Sequence, residues 1–135
     1  MKQTPAALSI DQLQELTKAL RTRIVQMSHD AQVPHLASSL SCVDILATVY
    51  WNFLDIDPQQ PRNELRDRFI LSKGHAAAAL YATLALRGFF PQERLSEYVK
   101  EGGFFAEHPS PKNIPGVEAA TGSLGHGLSI GLGMA

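Results

Sequence analysis

The chain has 135 residues, 44% of them hydrophobic and 19% charged, with a formal net charge of −1. That length supports one domain with a buried core, and that balance belongs to a folded globular protein rather than a disordered one. The near-neutral charge leaves no basic footprint for nucleic acid, and the single cysteine, Cys42, excludes a disulfide framework or a cysteine-based zinc site within one chain.

At the N-terminus, MKQTPAALSIDQ lacks the apolar run and small-residue cleavage site of a secretory leader. The apolar runs elsewhere are too short to span a membrane, so no membrane contact and a cytoplasmic location are expected. Leu13, Leu16, Leu20, Ile24 and Met27 recur at spacings of three and four, which predicts an amphipathic helix over 10–28. Ser9 with Gln12 three residues later predicts a capping box at its start. A second helix is expected over 42–54, capped by Ser41. Asp44 suits its positive end, and Leu46, Val49, Tyr50 and Phe53 fall on one face. The polar segment 57–68, with two prolines, reads as a surface loop, and the apolar run 68–72 reads as a buried strand. Residues 75–87, rich in alanine and leucine, predict a helix stopped by Gly88 in the left-handed conformation. Pro91 opens a short helix to about Lys100, and 102–121, with Pro109, Pro111 and Pro115, forms a long loop. Leu124, Leu128 and Leu132 restore helical spacing at the end. Helices alternating with a buried strand indicate an α/β layered architecture. One strand cannot make a parallel sheet, so the chain is expected to be the helix-rich front part of such a domain.

Four of the five histidines, His35, His75, His108 and His126, neighbour glycine or proline in turns, where functional residues concentrate. His29, on a polar helix face, reads as a solvated surface residue. In ILSKGHAAAALYA, His75 lies in the first turn of a helix, where free N–H groups favour anions. It could donate to a phosphate oxygen there, or serve as a capping or core histidine. His35 follows Pro34 in a connector and is either structural or functional. Cys42 reads as a small buried hydrophobe rather than an activated thiol. Thr121 to Gly125 has the layout of a backbone cradle for a pyrophosphate. It lacks the Gly-Lys-Ser/Thr of a Walker A loop, and the order of Gly122, Gly125 and Gly127 is not the dinucleotide fingerprint. Gly127, Gly131 and Gly133 are read as thinning the last helix so that another backbone can pack closely.

Together, His35 with SSLSCVDIL, RFILSKGHAAAALYATLALRG, His108-Pro109 and PGVEAATGSLGHGLSIGLGMA resemble the N-terminal, thiamine diphosphate-binding part of transketolase. The resemblance runs from about Leu13 to Ala135 and is strongest to split transketolases, whose N-terminal half is a separate subunit. It implies that His75 contacts the phosphate region of thiamine diphosphate, and that Gly122, Ser123 and Leu124 line the cofactor. It further implies that His35 and His108 face a ketose substrate, where imidazoles can move protons to and from hydroxyls. His126 falls where the family varies. The implied reaction transfers a two-carbon ketol unit from a ketose phosphate donor to an aldose acceptor, as in pentose phosphate metabolism. The family's magnesium is held through a Gly-Asp-Gly motif that does not occur in this sequence, so no metal ligand is assigned here. The activating glutamate comes from another domain, which implies a C-terminal subunit or a second protomer as partner. Where many transketolases have Gly-His-Pro-Gly, this chain has Pro34-His35-Leu36-Ala37.

Two other readings stand beside this one. The chain could be a truncated, non-catalytic remnant or interaction module of the same fold, which fits the missing metal motif. It could also be an unrelated phosphate-binding α/β protein using the glycine loop, which leaves His35 and His108 unexplained.

Overall fold

A computed structural model of the chain describes residues 7–135; residues 1–6, which carry part of the leader reading, lie outside the described residues. Helix α1 (Ile10–Ala31) starts with the expected reciprocal cap. Ser9 Oγ accepts from Gln12 N at 3.3 Å, and Gln12 Oε1 accepts from Ser9 N at 2.9 Å. It runs to a left-handed Gln32, so the polar His29–Asp30 step sits inside the last turn and not beyond it. Leu20, Ile24 and Met27 are its buried face.

The predicted 42–54 helix is divided. A short helix α2 (Leu36–Leu40) precedes α3 (Val43–Thr48), and α3 passes into a π-helical turn (Val49–Phe53). Ser41 does not cap α3. Its hydroxyl donates to Ser38 O at 2.9 Å, and Cys42 takes the N-cap position without a side-chain bond. The π turn rotates the following side chains off the helical register. Leu46 and Tyr50 therefore stay buried, while Phe53 is 70% exposed, against the expectation of one continuous apolar face. Asp44 lies in the first turn of α3 as expected and pairs with Arg21 of α1 at 2.6 Å.

Helix α4 (Ala77–Arg87) is the centre of the fold. It is preceded by a 3₁₀ turn (Gly74–Ala76) and ends on Gly88 at φ 95°. Every residue from Ala77 to Ala85 is buried. A helix apolar on all sides must be surrounded, and α1, α2, α3 and a 3₁₀ segment (Gln92–Glu97) pack around this one. Its alanines let those neighbours approach closely. That 3₁₀ segment replaces the short helix expected after Pro91. An aromatic group closes this end of the core, with Tyr81–Phe105 ring centroids at 4.8 Å and Phe90–Phe105 at 5.1 Å.

The expected strand over 68–72 does not form. Leu71 is buried, but an extended segment becomes a strand only by pairing with a neighbour, and no ladder flanks it among the described residues. The single bridge among the described residues joins Tyr98 and Phe105. The 57–68 loop is polar and turn-rich as expected, with one exception. Arg66 is withdrawn from the surface and pairs at 2.5 Å with Glu118, whose side chain is 6% exposed. Arg68 meets the other oxygen of Glu118 at 3.2 Å. This ion-pair group ties the 57–68 loop to the long loop over 102–121. Helix α5 (His126–Met134) leaves Leu124, Leu128 and Leu132 exposed, the latter two above 80%. No helix of the described residues is long and apolar enough to cross a membrane.

Candidate functional site

Three sequence segments converge at the N-terminal end of α4. The first is the connector from α1 to α2. His35 stands there at φ 76°, an uncommon conformation for a residue with a β-carbon, and is the N-cap of α2 with no capping bond of its own. The second is the 3₁₀ turn before α4, which carries His75. The third is the long loop, which carries His108. The His35 and His75 ring centroids lie 4.7 Å apart, His75 and His108 5.0 Å, and His35 and His108 6.5 Å, all edge-on. Residues separated by up to 73 positions in sequence thus form one imidazole cluster, each ring partly open to solvent.

The glycine loop is fastened beside this cluster by four contacts. Gly74 sits against the backbone of the loop so closely that a β-carbon there would come within 2.6 Å of Thr121 C and 2.8 Å of Gly122 N. The buried Thr121 hydroxyl donates to Leu71 O at 2.7 Å, and Thr121 N donates to Pro109 O at 3.3 Å. Gly127 N donates to Ser72 Oγ at 3.0 Å. A β-carbon on Gly122 would meet the His108 ring at 3.4 Å, so the loop and the third histidine are in contact. Of the three late glycines, Gly127 makes the close approach expected of it, since a β-carbon would lie 2.5 Å from Ser72 Cβ. Gly131 has ordinary room and Gly133 open space.

His108 is held from below. Tyr81 donates its hydroxyl to His108 O at 3.1 Å, and burial pushes the Tyr81 phenol well above its ordinary range, so it remains a donor. Lys73, one residue before Gly74, lies beside the cluster with its ammonium committed to Ser38 O at 3.3 Å and Ser41 Oγ at 2.9 Å. Its Nζ is also 4.0 Å from Cys42 Sγ, and the thiol is half-buried and points to Ser38 O.

The structure therefore brings His35, His75, His108 and Gly122 together. Ser123 and Leu124 follow Gly122 on the exposed side, and His126 begins α5 in solvent, as His29 ends α1 in solvent. Among the described residues, no group of three or more His, Cys, Asp or Glu side chains is placed to hold a metal ion. Imidazoles that can donate or accept, a glycine-walled loop and an exposed apolar Leu124 are a donor set suited to an organic phosphate ligand. Sequence reasoning missed Glu107, Glu118, Tyr81 and Lys73, which support the cluster from elements distant in the chain.

Residues 12–135 match the family described as transketolase, thiamine diphosphate binding domain. One of the two subunits of an apulose-4-phosphate transketolase from Phocaeicola vulgatus is 37% identical over 128 residues, covering 95% of this chain and 45% of the relative. A 6-deoxy-6-sulfo-D-fructose transketolase subunit from a Clostridium species is 39% identical over 123 residues, covering 91% of this chain and 45% of the relative. The transketolase of Leishmania mexicana superposes with a TM-score of 0.86 at 25% identity, over 95% of this chain and 19% of that one. The chain thus spans under half the length of the curated subunits it matches.

Proposed function

The chain belongs to the transketolase family, and from that premise we propose that it supplies the cofactor-facing part of an enzyme moving a two-carbon ketol unit from a ketose phosphate to an aldose. The observation that carries this reading is the convergence of His35, His75 and His108 on the Gly122 loop. His75, Gly122, Ser123 and Leu124 would hold thiamine diphosphate. When bound, that cofactor supplies a nucleophilic carbon able to attack a carbonyl and carry a carbanion equivalent.

The chain's own residues do the rest. His75, at the entry to α4, donates to a phosphate oxygen near free backbone N–H groups. Gly122 keeps the loop thin where a side chain would crowd His108. His35 and His108 take and return protons at the substrate hydroxyls, a role suited to a group that titrates near neutral pH. Magnesium would be held by ligands outside the described cluster. A C-terminal transketolase subunit or a second protomer would complete the site, and the assembly would act in the cytoplasm. The two subunit relatives are named for different sugars, so the sugar specificity of this chain is left to its own substrate assay.

Calorimetric titration of thiamine diphosphate with magnesium onto the chain in complex with its C-terminal partner tests the proposal. Saturable binding, weakened at least tenfold by His75→Ala, is expected. Absence of binding in that complex would sink it.

A further inference from the structure

One carboxylate faces the imidazole cluster. Glu107 precedes His108 in the chain, yet its Oε1 lies 3.7 Å from Nε2 of His35, on a different segment. Both side chains are about one-third exposed. The same carboxylate acts on Tyr98, whose phenol it raises together with burial, so Glu107 stands between the aromatic end of the core and His35. The other charged neighbour, Lys73, is engaged by Ser38 and Ser41. His75 and His108 contact His35 as rings. His35 makes no capping bond and stands on a left-handed backbone, so nothing local fixes its ring.

We propose that Glu107 is the positioning residue of His35, a refinement that rests on the function proposed above. Its carboxylate accepts from Nε2–H, which fixes the ring and leaves Nδ1 with its lone pair as the nitrogen open to a substrate hydroxyl. His35 then begins its cycle as a proton acceptor, and the pair ties it to the same loop that carries His108. The separation is longer than a made hydrogen bond of about 2.7–3.2 Å. Such pairs tighten when a site fills.

Selective ¹⁵N-histidine NMR of the full chain tests the pair without requiring cofactor or turnover. The His35 Nε2–H resonance is assigned by its absence in His35→Gln. It is expected to be visible in the wild type, kept in Glu107→Gln, whose amide oxygen still accepts, and lost in Glu107→Ala, while His75 and His108 signals stay within their line widths. Retention of the resonance in Glu107→Ala, or equal movement of all three histidines, overturns the assignment. In the complete enzyme, Glu107→Ala lowers kcat about tenfold with KM within twofold, and Glu107→Gln restores most of it. A loss confined to KM also counts against the role. If the enzyme proves not to bind thiamine diphosphate, the NMR arm still reads the pair, so the two failures are separable.

Discussion

Gly74→Ala tests the junction on which the site depends. An added β-carbon would meet Thr121 C at 2.6 Å and Gly122 N at 2.8 Å, and real β-carbons essentially never approach below 3.0 Å. These are backbone atoms, so no side chain can rotate away. Reaching an ordinary contact of 3.4 Å requires the His75 turn and the glycine loop to separate by about 0.6–0.8 Å. Overpacking of this kind costs about 1–3 kcal/mol. A misplacement near 1 Å at a reacting centre can cost about 10²-fold in rate. The expected result is a fall in stability by chemical denaturation within that range, with a loss of turnover of ten- to a hundredfold in the assembled enzyme (an order-of-magnitude figure). Gly133→Ala is the control, since its β-carbon meets nothing within 4 Å. It should be neutral or stabilise by up to about 1 kcal/mol. If Gly74→Ala matches the wild type in both stability and turnover, the junction does not hold the two half-sites in register and the reasoning fails.

Further expectations follow from the supports of the loop. Thr121→Val keeps the shape but strands Leu71 O, now bonded at 2.7 Å; a loss of about 1–3 kcal/mol in urea unfolding is expected, and Thr121→Ser should recover most of it. Glu118→Gln removes the anion shared by Arg66 and Arg68 and leaves the buried Arg66 guanidinium without a charge partner. A cost of about 3–5 kcal/mol, read as a lower melting temperature, is expected. Tyr98 is pushed up to about 12 by burial first and by Glu107 second. A phenol whose folded value is raised stabilises fully below its unfolded value near 10, and that contribution is lost as pH rises toward 12. Stability measured across that window should therefore fall with a smaller slope in Tyr98→Phe than in the wild type; equal slopes would remove Tyr98 from the account.

Local chemistry was readable from the sequence. The Ser9–Gln12 cap, the apolar stripe of α1 and the left-handed stop at Gly88 depend on residues within one turn, and each stands where it was expected. The resemblance identified the three histidine segments and the glycine loop, and the fold and family follow it. The features that differed are set by distant partners. The 68–72 segment has strand composition, but strand formation requires a neighbour to pair with. Ser41 has capping chemistry, yet Ser38 O and the Lys73 ammonium claim its hydroxyl. The 57–68 loop is polar, yet its Arg66 leaves the surface to meet Glu118 on a distant loop, a pairing that periodicity does not encode. Gly74 gave a turn signal alone, since the reason for the glycine lies in the backbone of Thr121.

The central claim is that three histidines from separate segments form one cofactor-facing cluster. Histidine-selective NMR of the assembled protein, titrated with thiamine diphosphate and magnesium, tests it most directly because His29 and His126 serve as internal references in solvent. The account predicts that His35, His75 and His108 shift together with one saturation curve while His29 stays fixed. Saturable binding that leaves all three unmoved, or moves them no more than His29, would contradict it.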